Sequence, residues 1–174
     1  MMPFIEPLRL SRTITRAVLS EEQAEGQGTR VRRSIGRPEL QNCDPFLMLD
    51  EFLVDKNGGF PDHPHRGFET VTCMLQGQFR HEDFAGYSGV IGLGDVYTRT
   101  PTMFLDITME PHKVVEQNLL FSYTGFICML SGKTFLGEEE EQFVGEAHNT
   151  LTFSGSDGVK DTVLIETKED AHSF

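Results

Sequence analysis

Apolar residues in this chain come in short runs broken by Gly, Pro, Asn or Asp, and almost nowhere at the spacing of a helix face. That punctuation confines the chain to short strands joined by turns. The best helix start is Ser20, followed by Glu21, Glu22 and Gln23 and stopped by Gly26, which predicts about two turns at most. Met103, Leu105, Ile107 and Met109 alternate with Thr102, Asp106 and Thr108, the period of a half-buried strand, although Phe104 breaks the alternation. Pro101 and Pro111 bracket it, and Val163, Leu164 and Ile165 form another short strand. Many short strands with Gly-rich turns predict an all-β fold, a sandwich or a barrel.

One internal echo organises these strands. Thr72–Gly77 reads TCMLQG and Ile127–Gly132 reads ICMLSG. Each is an apolar run closed by an x-Gly pair, which supplies the positive φ of a tight turn and predicts a hairpin into the next strand. Asp95 and Asp157 follow Gly-containing turns further on. The repeat predicts two related β units, 1–95 and 96–174.

The formal charge of −12 disfavours binding to a phosphate backbone. Arg30, Arg32, Arg33 and Arg37 form one basic stretch, either a solvated strand edge or a contact face. Glu138–Glu141 reads as a solvated acidic loop, because like charges in a row repel. The three cysteines, Cys43, Cys73 and Cys128, make neither a metal motif nor a disulfide framework, which suits reduced thiols inside a cell. No apolar run approaches the ~18 residues of a membrane span. Arg9, Arg12 and Arg16, interleaved with Ser and Thr, resemble an organelle transit peptide; the alternative is a disordered leader running into a first strand.

The chemistry concentrates in GFPDHPHRGFET, residues 59–70. On a strand, His63 and His65 project to one face, as would Gly67 and Glu69 if the strand stays regular. Two imidazoles with a carboxylate suit Fe(II), Ni, Cu, Mn or Zn. Pro61 and Pro64 stiffen the segment. The competing explanation is a polar turn with two exposed histidines. Positions matched through the echo, Asn118, Leu120 and Thr124, hold no such set, so a metal belongs to the first unit.

VRRSIGRPEL (31–40), DPFLMLDEF (44–52), GFPDHPHRGFETV (59–71) and HEDFAGYSG (81–89) closely resemble the pirin family of the cupin superfamily. The resemblance is dense over about residues 15–95, continues in VYTRTPTMFLD (96–106) from the start of the family's second domain, and is looser over 107–166. It implies cupin-type β-barrels or sandwiches, here the remnants of a two-domain bicupin with an incomplete first barrel. The family's N-terminal barrel holds one iron through a His-x-His pair and a later His-Ala-Glu. By resemblance His63 and His65 take the first two places. No His-x-Glu follows: Asp95 runs directly into the opening of the second barrel, which implies an internally deleted form shortened at its C-terminus.

Ligand counting then implies weak iron binding, with Glu69 or His81 as candidate replacements. Lost strands leave open edges, met by a hybrid barrel within the chain or by exchange between chains. The resemblance implies a metal-binding regulatory protein of nucleus and cytoplasm, acting with transcription regulators of the NF-κB type. The alternative it implies is an iron-dependent quercetin 2,3-dioxygenase acting on a flavonol-like small molecule. No G-x-S-x-G or catalytic cysteine setting supports hydrolysis.

Overall fold

A computed structural model describes residues 11–174 apart from 66, 84, 97, 121 and 156–160, so the turn at Asp157 and the Arg9 region lie outside the described residues. Its elements, in chain order, are β1 (Ile14–Leu19), β2 (Glu21–Ala24), β3 (Gln27–Ile35), β4 (Leu49–Gly59), β5 (Phe79–Glu82), β6 (Ser88–Ile91), β7 (Ile107–Met109), β8 (Val114–Asn118), β9 (Phe126–Ser131), β10 (Lys133–Leu136), β11 (Phe143–Glu146), β12 (Asn149–Phe153), β13 (Thr162–Thr167) and β14 (Ala171–Ser173). The all-β expectation holds. Two compact units form: Met1–Pro61 with Leu105–Phe174, and Asp62–Phe104. They cut the chain at points other than 95/96.

The larger unit is a sandwich. One sheet runs β1-β12-β9-β14-β7 and the other β11-β10-β13-β8, with antiparallel neighbours throughout. Met109, Ile127, Met129, Leu151 and Ala171 from the first meet Leu136, Val163 and Ile165 from the second in one core. Each such large side chain contributes ~1.5–3 kcal/mol by leaving water. The strand over 162–167 contains the predicted Val163–Ile165. The one predicted from Met103 forms only over Ile107–Met109.

Central strand β9 is buried on both faces, which explains why its run ICML does not alternate. Ile127 and Met129 enter the sandwich core, while Phe126 packs on a second cluster of Val18, Ile35 and Leu40. Phe126 meets Phe46 edge-on at 4.9 Å. Through this outer cluster the third sheet, β2-β3-β4, covers the five-stranded one, and the Thr150 hydroxyl donates to Ser34 Oγ at 2.8 Å between them.

Two expectations are corrected. The segment after Ser20 is strand β2 rather than a helix. It pairs with β3 in a register that sets Glu21 against Arg33 and Glu22 against Arg32. Glu22 takes ion pairs from Arg30 and Arg32, and Glu25 one from Arg33 at 3.1 Å. Cross-strand charge pairing outweighs a short stretch's helix preference. The same pairs mean that the basic stretch is matched: Arg33 also grips Asp50 through two bonds of 2.8 and 2.7 Å, and Arg37 meets Glu21 and Glu39.

The predicted hairpins do not form either. Gly132 has the expected positive φ of 73°, but β9 and β10 lie in opposite sheets, so the turn carries the chain around a corner. Leu136 is fully buried across the core from Met129, and hairpin pairing would have put both in one sheet. Gly77 shares the conformation at φ 76°, yet the residues before it form only an isolated bridge, Met74 to Leu93. Strand β5 pairs with β6 instead.

The chain from Ser11 onward is built into the sandwich, and β1 is the first strand expected after the leader, whose residues 1–10 lie outside the described residues. Strand β1 fills the edge beside β12. Arg12 is buried, donating to the Tyr123 carbonyl at 2.7 Å and the Leu120 carbonyl at 3.2 Å, with Asp161 at 4.0 Å. The N-terminal strand therefore joins the sheets of the C-terminal half, a hybrid within the larger unit. Among the described residues the sheets remain a sandwich without a closed barrel. The acidic run is a single 3-10 turn, Glu139–Glu141, with its carboxylates outward. Glu138 alone turns inward, accepting from the Ser11 amide at 3.0 Å.

Candidate metal centre

The second compact unit carries the histidines. Residues 60–65 and 67–73 form no strand, because Pro61 and Pro64 lack amide donors and Gly67 adopts φ 74°. The imidazoles still converge. His63 Nε2 and His65 Nε2 lie 2.9 Å apart, with ring centroids at 4.7 Å and planes at 64°. Both side chains are exposed. The Thr70 hydroxyl stands 3.0 Å from His65 Nδ1, and the Phe68 ring lies 5.3 Å from the His65 ring. With Nδ1–H donating to Thr70, the Nε2 lone pair of His65 is left for a metal.

The spacing suits chelation. Two ring nitrogens each about 2.1 Å from one ion, at right angles, lie about 3 Å apart. Without an ion, one ring nitrogen donates its proton to the other.

Further donors do not join them. The left-handed turn at Gly67 destroys the regular alternation that would have put Glu69 on the histidine face. Glu69 instead accepts hydrogen bonds from the Arg99 amide, the Thr100 amide at 3.1 Å and the Thr100 hydroxyl at 2.8 Å. The Arg99 amide, with the Thr100 hydroxyl behind it, holds this carboxyl below the usual carboxylate range. His81, on β5, lies over Gly89 of β6, its Nε2 only 2.7 Å from where a Cβ would stand. Among the described residues no group of three or more His, Cys, Asp or Glu side chains is placed to hold a metal. The residues present fit two places of a coordination sphere and not a complete one.

Sequence inspection missed Thr70, whose role becomes visible only once the turn folds it back on His65. It also missed two histidine–carboxylate pairs of the larger unit. His172 Nε2 meets Asp106 Oδ1 at 2.5 Å, and His148 Nδ1 meets Glu51 Oε2 at 3.2 Å. Their partners are distant in sequence, and nothing local signals them. Cys128 is buried, and desolvation pushes its thiol up to about 11.

A β-sandwich of this topology is a cupin-type architecture. The solved structure of quercetin 2,3-dioxygenase from Acinetobacter baumannii superposes with a TM-score of 0.71 over 94% of this chain and 85% of that one, at 16% identity. The Pirin family model matches residues 28–102. A pirin-like protein of Solanum lycopersicum is 66% identical, covering 85% of this chain and 76% of that protein. Human Pirin is 34% identical, covering 94% and 80%. The chain belongs to the pirin family. The alignment with human Pirin runs over 237 positions while containing 94% of a 174-residue chain. It must therefore open gaps where the relative has residues and this chain has none, in keeping with an internal deletion.

Proposed function

We propose that this chain is a metal-linked regulatory protein rather than an efficient dioxygenase. The observation that carries this is the His63–His65 pair at chelating distance, with Glu69 committed elsewhere and no third described donor beside it. Two imidazoles bind iron weakly and exchangeably. A bound ion would supply Lewis acidity and a redox-active centre, and His63 and His65 would hold it. The family resemblance supports partners among transcription regulators of the NF-κB type, and residence in nucleus and cytoplasm. With all four arginines of the 30–37 stretch already paired to carboxylates, a partner must bring its own charge complement to compete for them.

The test is metal analysis of the purified chain for iron and zinc, with quercetin oxidation assayed in parallel. Substoichiometric, chelator-labile metal lost in His63→Ala, with no turnover, supports the proposal. Stoichiometric iron with turnover abolished by His63→Ala would replace it with the dioxygenase.

A further inference from the structure

We propose that Thr100 is a phosphorylation site for a proline-directed protein kinase, and that the phosphate opens the clasp through which Glu69 closes the loop between them. Of the 8 prolines in the chain, Pro101 alone follows a hydroxyl residue. Proline offers no amide hydrogen and drives the residue before it toward extended backbone, the form in which a kinase cleft takes a peptide. Residues 101–106 belong to no strand or helix, and Thr100, Pro101 and Thr102 are all exposed. An enzyme can therefore reach the Thr100 side chain.

The consequence follows from what the hydroxyl touches. Thr100 Oγ1 donates to Glu69 Oε2 at 2.8 Å, and the Thr100 amide donates to the same oxygen at 3.1 Å. The Arg99 amide donates to Glu69 Oε1. These bonds favour the charged carboxylate, and they tie the ends of a loop whose strands, among the described residues, are β5 and β6. A two-stranded hairpin is marginal by itself, so the clasp is part of what orders the loop. In the transfer the Oγ1–H bond breaks and Oγ1 takes the γ-phosphoryl group of ATP. The proton passes to the kinase's base and ADP leaves. Oγ1 can then no longer donate to Glu69. In its place stands a group of about −1.5 to −2 charge at pH 7, beside a carboxylate that had been within hydrogen-bond distance. Like charges at that range repel, and Glu69 swings away. The switch acts through Glu69 and holds whether or not the histidines carry metal.

The test uses the full chain, magnesium ATP and a mitogen-activated protein kinase as the probe. Phosphopeptide mapping locates the phosphate, and carbon-detected NMR follows the Glu69 carboxyl. Phosphate should enter at Thr100, and Pro101→Ala should abolish its entry while leaving the far-UV spectrum unchanged. In the unmodified chain Glu69 titrates below the ordinary carboxylate range; in the phosphorylated chain it should titrate within or above that range. Thr100→Val should block phosphorylation and leave Glu69 low, because the two amide bonds remain and no charge is added. A Thr100 that stays unmodified, or one modified equally well in Pro101→Ala, overturns the site. Phosphate at Thr100 with Glu69 still titrating low overturns the switch. If Glu69 rises as far in Thr100→Val as in the phosphorylated chain, the role of the added charge is overturned.

Discussion

Gly77 and Gly132 end the two echoing segments with nearly the same backbone, φ 76° and 73°, but in different surroundings. Replacing each by Ala separates backbone strain from steric conflict. A left-handed conformation costs a non-glycine residue about 1–2 kcal/mol. At Gly77 a Cβ meets nothing within 4 Å, so Gly77→Ala should cost only that. At Gly132 the same atom would stand 2.1 Å from the Asp170 carbonyl oxygen and 2.8 Å from Ala171 Cα. These are backbone atoms leading into β14, and they cannot rotate aside. Overpacking of this kind adds about 1–3 kcal/mol, for a total near 2–5 kcal/mol. Urea unfolding followed by far-UV circular dichroism measures the loss at Gly132. Amide exchange over Phe79–Glu82 measures the loss at Gly77, in case the smaller unit opens separately. The corner around Gly132 is refuted if Gly132→Ala proves no more costly than Gly77→Ala.

Leu151 is fully buried at the centre of the sandwich, and Leu151→Ala should lower stability by about 2–5 kcal/mol in the same urea assay. Glu69 has a depressed folded pKa, so its contribution is present above the ordinary carboxylate range and disappears as pH falls through the lowered value. Amide exchange at Arg99 and Thr100 should accordingly accelerate on acidification below that range, and Glu69→Gln should remove this pH dependence. Burial raises the Cys128 thiol to about 11, so at pH near 8 a thiol reagent should label the half-buried Cys43 and Cys73 well before Cys128. Equal labelling of all three in the folded chain would contradict the burial of β9.

Most of the candidate site was legible in local order. Two histidines separated by one proline must lie close whether or not the segment is a strand, and they do. The position of Glu69 was not, because its placement depends on one dihedral at Gly67 and on a partner thirty residues away. The two histidine–carboxylate pairs were invisible for the same reason.

The sequence alone determined the all-β character, the positive φ of Gly77 and Gly132 and the nearness of the two imidazoles, since each follows from steric and periodic constraints acting over a few residues. Only the tertiary structure decided that Glu21–Ala24 is a strand, that β9 and β10 part into opposite sheets, and that Glu69 closes a loop instead of serving a metal. Those outcomes depend on which distant groups share a burial or a charge, and that balance exists only after the sheets have assembled.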